Sequence, residues 1–112
     1  MKGLFIIIIL IASRFVYWMH SEISRENRKF EAQIRWGDNP DDPNILYSYI
    51  DYCREMTAIG DEQFSTIVFS HLADLLLKTI CDPCLPYQRR SLCLDNICQP
   101  LYALSNLAEN EN

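Results

Sequence analysis

Apolar residues recur at helical spacing through most of the chain, and no segment alternates with period two for long enough to predict a strand. Between residues 21 and 37 the apolar positions are few and share one narrow face, at Ile23, Phe30 and Ile34. A serine at the start can cap this segment, and Gly37 can follow its end. The pattern predicts a helix attached at the rim of the core.

The segment 42–60 carries a more complete helical pattern. Asp42 can cap it, Pro43 suits the first helical position, and Gly60 follows its end. Its apolar residues fall on one arc of the helix: Ile45, Leu46, Tyr49, Ile50, Cys53 and Met56. Because Cys53 stands in the middle of this arc, its thiol is predicted to point into the core.

Residues 61–80 form the most apolar segment after the N-terminus, with Asp61 as its expected cap. Only a thin polar strip interrupts it, at Thr66, Ser70, Asp74 and Lys78. A helix that is apolar on most of its circumference is buried on most sides, so this segment is predicted to be the central helix.

The last segment can begin a helix at Pro86, and Pro100 is expected to end or kink it. One side would carry Tyr87, Leu94, Ile97, Cys98 and Leu101. Residues 105–112 are a polar tail that is expected to fray. The predicted fold is all-α, with three to four short helices in a single domain over residues 22–104.

The N-terminus resembles a secretory signal. Lys2 precedes an unbroken apolar run over residues 4–12, which is shorter than the roughly 20 residues that a membrane-spanning helix needs. A second apolar tract follows Arg14, so residues 1–21 are predicted to be a signal peptide cleaved between residues 12 and 21. The alternative is an uncleaved anchor that tethers the protein to a membrane.

The charge of the chain bears on its partners. The 112 residues carry a net charge of −5, and loss of residues 1–21 would make it −7 because Lys2 and Arg14 leave with no acid. Nucleic acids and anionic membrane surfaces recruit basic proteins, so neither is an expected partner, and no membrane contact is expected after cleavage. Arg89 and Arg90 could form a dibasic processing site, although an ordinary charged helix surface is favoured.

No motif predicts an enzyme or a cofactor. His71 has Asp74 one turn away, but no nucleophile stands in a recognisable relation to it. His71 is therefore interpreted as a histidine at the rim of the core. The chain carries no phosphate-binding loop and no zinc-protease or serine-hydrolase motif.

The five cysteines are the strongest chemical signal. Four of them follow the spacing C-x2-C-x8-C-x4-C in residues 81–98, in which the second pair is too wide for a typical zinc hook. In an oxidising compartment such a cluster indicates disulfides. The helix faces favour bonds between Cys53 and Cys98 and between Cys81 and Cys93, although four cysteines permit three pairings. Cys84 is left over.

The position of Cys84 suggests a role for the odd thiol. It lies in the short turn "CDPC", and because turns lie at the surface, it should be more exposed than Cys53. Exposed thiols in oxidising surroundings pair across chains, so a disulfide-linked homodimer through Cys84 is predicted.

The order of the cysteines resembles that of the arthropod hyperglycaemic and ion-transport neurohormones and the venom peptides derived from them. These are small secreted helical proteins with six cysteines, and the five cysteines here look like the first five, with "ICDPC" at a helix end. The sixth, which should pair with the position of Cys84, is missing, and the interval from Cys53 to Cys81 is longer. The resemblance covers residues 53–98 and implies the same two pairings.

These observations together predict a secreted, extracellular, disulfide-stapled helical protein. It would act by binding an extracellular protein or receptor, as a hormone-like, venom-like or effector-like ligand. The alternatives are a membrane-tethered protein that retains residues 1–21, and a zinc-binding module.

Overall fold

The structure, a computed structural model, describes residues 2–39 and 42–110, without the side chains of residues 13, 15–20, 22, 23 and 110. The described residues form five helices and no strand: α1 (Lys2–Trp36), α2 (Asn44–Ile59), α3 (Glu62–Ile80), α4 (Tyr87–Asn96) and α5 (Cys98–Asn110). The all-α prediction is confirmed, although the number of helices is higher than the three to four expected.

Helix α1 extends far beyond the predicted segment. It runs without a break through the expected signal and ends at Trp36, where the Gly37 N–H donates to the Gln33 carbonyl at 3.0 Å. In its first part, the side chains of residues 4–11 are 49–66% exposed. Only Phe30 and Ile34, near the other end, pack against the core as expected. The predicted contact of Ile23 lies outside the described side chains.

The long first helix shows no boundary between a signal and a folded body. The cleavage zone between residues 12 and 21 lies within α1, so the signal peptide stays a prediction. Among the described residues, no helix is both long enough and apolar enough to span a bilayer.

Helices α2 and α3 supply most of the core, and α3 is the central helix, as predicted. It contacts α2 on one side and α4 and α5 on others. The Asp61 carboxylate caps it by accepting from the Phe64 N–H at 2.8 Å. The buried apolar side chains of the two helices are Leu46, Tyr49, Ile50, Cys53, Phe64, Val68, Leu72, Ala73, Leu75 and Leu76.

The start of α2 differs slightly from the prediction. Pro43 occupies the N-cap position instead of the first helical position. Asp42 still caps in effect, because its Oδ1 accepts from the Asn44 N–H at 2.9 Å. This bond satisfies one of the N–H groups that have no partner within the helix.

The helix predicted after Pro86 begins as expected, but the face predicted to be buried is wrong. The chain breaks at Ile97 into α4 and α5, and most of the predicted apolar face points outward: Tyr87, Leu94, Cys98 and Leu101 are exposed. The buried face instead contains Arg89, Cys93, Asn96, Ile97 and Pro100. Two of these five are polar or charged, so hydropathy alone indicated the wrong face.

The break fits the prediction that Pro100 ends or kinks the helix, whereas the C-terminal tail was not expected to be helical. Pro100 is the third residue of α5, where its missing N–H removes no bond within the helix. Pro100 instead interrupts the longer helix that begins at Tyr87, because it cannot donate to the Asn96 carbonyl, and α4 ends at Asn96. Residues 105–110, which were expected to fray, belong to α5.

Candidate functional site

All five cysteines lie in the described part of the chain, and each is a free thiol. The structure therefore contains neither of the two predicted disulfides. Cys53 and Cys93 are buried, and Cys81, Cys84 and Cys98 are exposed. Cys84 is thus more accessible than Cys53, as the turn position predicted. Cys98 was expected to face the core, and its exposure follows from the break at Ile97.

Cys53 lies deep in the core at 1% exposure, one helical turn from Tyr49. Burial raises the pKa of the Cys53 thiol to about 12, and its interaction with Tyr49 offsets only part of that rise. Burial is also the main cause of the upward shift in the Tyr49 pKa, to which Cys53 adds. The Tyr49 hydroxyl donates to Asn27 Oδ1 of α1 at 2.7 Å. The Cys53 thiol is consequently neutral at ordinary pH.

Cys93 occupies a similar position on α4. It is 1% exposed, and burial raises the pKa of its thiol to about 11. A hydrogen bond with Thr79 of α3 and the charge of Arg89 act in the opposite direction. Neither buried thiol is activated as a nucleophile, because only the thiolate reacts.

Hydrogen bonds show that each predicted pair of cysteines stands on adjoining segments. Arg54 Nη2 donates to Gln99 Oε1 at 2.7 Å, which joins the residues that follow Cys53 and Cys98. Arg90 Nε donates to the Ile80 carbonyl at 3.0 Å, which joins α4 to the end of α3 beside Cys81. In both pairs, however, one thiol is buried and the other is exposed.

The cysteine cluster was also considered as a zinc site. No three His, Cys, Asp or Glu side chains among the residues that the structure describes are grouped so that they could hold a metal ion. The described residues therefore provide no set of ligands for the zinc-binding alternative.

The second notable feature is a polar junction between the end of α1 and the turn after α3, which we call the clasp. It consists of Arg35, Gly37, Asp82 and Arg89. Arg35 Nη2 forms an ion pair with Asp82 Oδ2 at 2.6 Å, and both side chains are less than one-fifth exposed. The pKa of the Asp82 carboxyl is lowered, first by the Cys84 N–H that it accepts and then by Arg35.

Arg89 completes the clasp from α4. Its two terminal nitrogens donate to the backbone carbonyls of Arg35 and Gly37, at the C-terminal end of α1. The last carbonyls of a helix lack partners within the helix and carry partial negative charge, so a guanidinium suits this position. Arg89 is only 7% exposed. A buried side chain with these partners does not fit the open dibasic processing site considered above.

Several exposed side chains surround the clasp. Trp36 is 62% exposed, and the Arg35 guanidinium carbon lies 5.2 Å from the centroid of its ring. Tyr87, at the start of α4, is 76% exposed. Cys81 and Cys84 flank Asp82 and are also exposed. We call these four side chains the clasp surface, and they combine aromatic and reactive groups around a fixed polar junction.

The clasp was missed by sequence reasoning because Arg89 was assigned to a solvent-facing helix surface. A signal was present, since Arg89, Cys93, Asn96 and Pro100 follow one another at three- or four-residue spacing. Because Arg89 and Asn96 were counted as polar, this row of positions was not recognised as a buried face. Asn96 is accommodated by donating from Nδ2 to the Leu92 carbonyl at 2.8 Å.

His71 lies on the exposed side of α3, beside an open cleft of about 270 Å³ between α1, α2 and α3. Asp74 in the same cleft is paired with Lys78 at 2.8 Å and raises the pKa of that lysine. The Asp74 carboxylate therefore already has a cationic partner, and no described Ser, Thr or Cys side chain lines the cleft.

Comparison of the chain with protein-family models, with curated proteins and with solved structures finds no match.

Proposed function

We propose that the protein enters the secretory pathway and acts outside the cell by binding another protein through the clasp surface. The observation that carries this proposal is the pair of exposed aromatic side chains, Trp36 and Tyr87, beside a junction fixed by three charged residues. Trp, Tyr and Arg are the residue types that contribute most to binding energy at protein interfaces. A rigid support also reduces the entropy lost on binding. A hormone-like, venom-like or effector-like ligand would have such a surface.

The proposed compartment favours disulfides in the mature protein. The adjoining segments around Arg54 and Gln99, and around Arg90 and Ile80, support bonds between Cys53 and Cys98 and between Cys81 and Cys93. Formation of both bonds requires the exposed thiols, Cys98 and Cys81, to turn towards the buried ones. Peptide mapping of the non-reduced, secreted protein tests the pairing, and a bond between Cys81 and Cys84 would contradict it.

Competition binding tests the protein-binding function. Fluorescently labelled protein should bind saturably to intact cells, either of the organism that makes it (a hormone-like ligand) or of its prey or host (a venom-like or effector-like ligand), and unlabelled wild-type protein should displace it. A Trp36→Ala, Tyr87→Ala double variant should fail to displace the label. The matched control is Ile59→Ala, Tyr102→Ala, which removes two exposed side chains at the other end of α2 and on α5 and should compete as the wild type does. Equal competition by both double variants would contradict the assignment to the clasp surface.

A membrane-tethered protein is the second candidate, and the continuity of α1 favours it. The helix connects the exposed apolar residues 4–11 directly to the part of α1 that packs against the core. From residue 11 to Trp36 the helix rises about 37 Å at about 1.5 Å per residue. In a tethered protein, the clasp surface would therefore stand away from the membrane.

Intact mass measurement and fractionation separate the two candidates. A secreted protein that has lost 12 to 21 N-terminal residues supports the first candidate. A full-length chain in the membrane fraction supports the second. Full-length protein in the cytosol with five reduced thiols contradicts both.

A further inference from the structure

A cleft between α2, α3 and α5 lies apart from the clasp and has no role in the proposed function. Its volume is about 280 Å³. The floor is apolar and comes from Ile50, Leu72 and Pro100, which are buried, with Phe69 at the side. The rim carries Arg54, Gln99 and Tyr102.

The rim carries a cation, Arg54, whose hydrogen-bond partner is neutral. Arg54 donates from Nη2 to the neutral Gln99 side chain at 2.7 Å. Gln99 in turn donates from Nε2 to Asn96 Oδ1 at 3.0 Å, which fixes its orientation. Among the described residues, no carboxylate lies within ion-pair distance of Arg54. In a chain with an excess of acidic residues, this cation beside an apolar cleft lacks an anionic partner.

We propose that this cleft binds a small amphiphilic monocarboxylate, with the carboxylate on Arg54 and the acyl chain on the apolar floor. A guanidinium presents two parallel donors that match the geometry of a carboxylate, and Nη2 can exchange Gln99 for the stronger charged acceptor. The apolar floor loses unfavourable contact with water when an acyl chain covers it.

The volume of the cleft limits the length of the ligand. At about 280 Å³ the cleft lies at the small end of ligand pockets, so it suits a short or medium-length acyl chain better than a long one. Octanoate is therefore the probe of choice. Tyr102, which is 71% exposed at the rim, can lie over the chain after binding.

Titration of the full chain with octanoate, followed by amide chemical shifts, tests the proposal. Octanoate should shift the amides of Gln99 and of residues 101–103, and octan-1-ol, which has the same chain without the charge, should bind at least tenfold more weakly. The Arg54→Gln variant should weaken octanoate binding about tenfold or more, because it removes a charge-assisted hydrogen bond. Binding of octan-1-ol should not change in that variant.

Controls separate this site from the exposed apolar part of α1. Lys78→Gln removes a cation elsewhere and should leave octanoate binding unchanged, and Ala103→Phe should abolish binding by filling the cleft. Shifts confined to residues 2–12, equal affinities for octanoate and octan-1-ol, or an Arg54→Gln variant that binds octanoate normally would each overturn the proposal. None of these outcomes depends on whether the clasp surface binds a protein.

Discussion

The core between α2 and α3 and the clasp between α1 and α4 hold helices together by different means. The core consists of apolar side chains such as Leu72 and Leu76, which are 1% and 0% exposed. The clasp consists of an ion pair and two bonds from a guanidinium to backbone carbonyls. Apolar contacts are non-directional, and their stabilisation grows with the area buried. The bonds of the clasp depend on direction and distance. They hold the C-terminal end of α1 in one position relative to α4 and the turn after α3.

The core should produce the largest loss of stability when it is truncated. Leu76→Ala is expected to reduce the free energy of unfolding by about 2–5 kcal/mol, because the surrounding helices cannot close the cavity completely. Urea unfolding followed by circular dichroism measures the change. Leu77→Ala is the matched control, since its side chain is 46% exposed and adjacent in sequence. A similar loss in both variants would contradict the assigned face of α3.

The clasp should contribute less to stability but more to the position of α1. Arg89→Met retains most of the apolar stem and leaves two carbonyls of the α1 end without their donor. We expect a loss of about 2–3 kcal/mol, typical of hydrogen bonds to charged groups. Arg54→Met, at an exposed position, should change stability by less than about 0.5 kcal/mol.

Hydrogen exchange distinguishes the clasp from general stabilisation. In Arg89→Met, amide protection should fall most in residues 27–37 at the end of α1, while the centre of α3 keeps its relative protection. Uniform loss of protection across all five helices would show that Arg89 supports the whole core and not this junction.

The same contrast explains how far the sequence predicted the fold. The arcs of α2 and α3 are almost purely apolar, so the pattern around Tyr49, Cys53 and Leu76 predicted their buried faces correctly. The buried face of α4 contains Arg89 and Asn96, whose burial depends on carbonyl acceptors. One acceptor of Arg89 is the carbonyl of Arg35, 54 positions earlier in the chain. A local pattern holds no information about such an acceptor, and therefore the clasp was not predicted, whereas the break before Pro100 was, because proline acts locally.

Only part of the candidate site could likewise be predicted from the sequence. The turn position of Cys84 indicated its exposure, and the helical arc of α2 indicated the burial of Cys53. The exposure of Cys98 depends on the change of direction between α4 and α5, so it was missed. Trp36 and Tyr87 were singled out by no motif, because their importance comes from the junction that they flank.

The buried thiols provide an effect that depends on pH and is absent at neutral pH. In the reduced protein, Cys53 and Cys93 have pKa values raised by burial to about 12 and about 11. Stability is complete below the unfolded-state value of about 9 and falls as pH rises towards these folded-state values. Each thiol should lower the free energy of unfolding by roughly 1.4 kcal/mol per pH unit in this window.

Urea unfolding of reduced protein between pH 8 and pH 11 measures this slope, and alkylation identifies the thiols. Cys81, Cys84 and Cys98 should react with iodoacetamide quickly, and Cys53 and Cys93 only after unfolding. Oxidised protein with both proposed disulfides should lack the thiol contribution to the slope. An equally fast reaction of all five thiols in the reduced, folded protein would contradict the burial of Cys53 and Cys93.

The smallest effect on stability is expected at Cys84, although its effect on assembly should be large. Cys84 is exposed at the clasp surface, and its backbone N–H, not its thiol, is held by Asp82 Oδ1 at 2.9 Å. Cys84→Ser preserves that bond and should change the free energy of unfolding by less than about 0.5 kcal/mol. If Cys84 is the odd thiol of an oxidised protein, the wild type should form a disulfide-linked homodimer, and the variant should run as a monomer on a non-reducing gel. Because the bond would join two clasp surfaces, the dimer should also compete less well for the cellular partner than the Cys84→Ser monomer. A dimer that persists in Cys84→Ser would assign the intermolecular bond to Cys81 or Cys98, the other two exposed thiols.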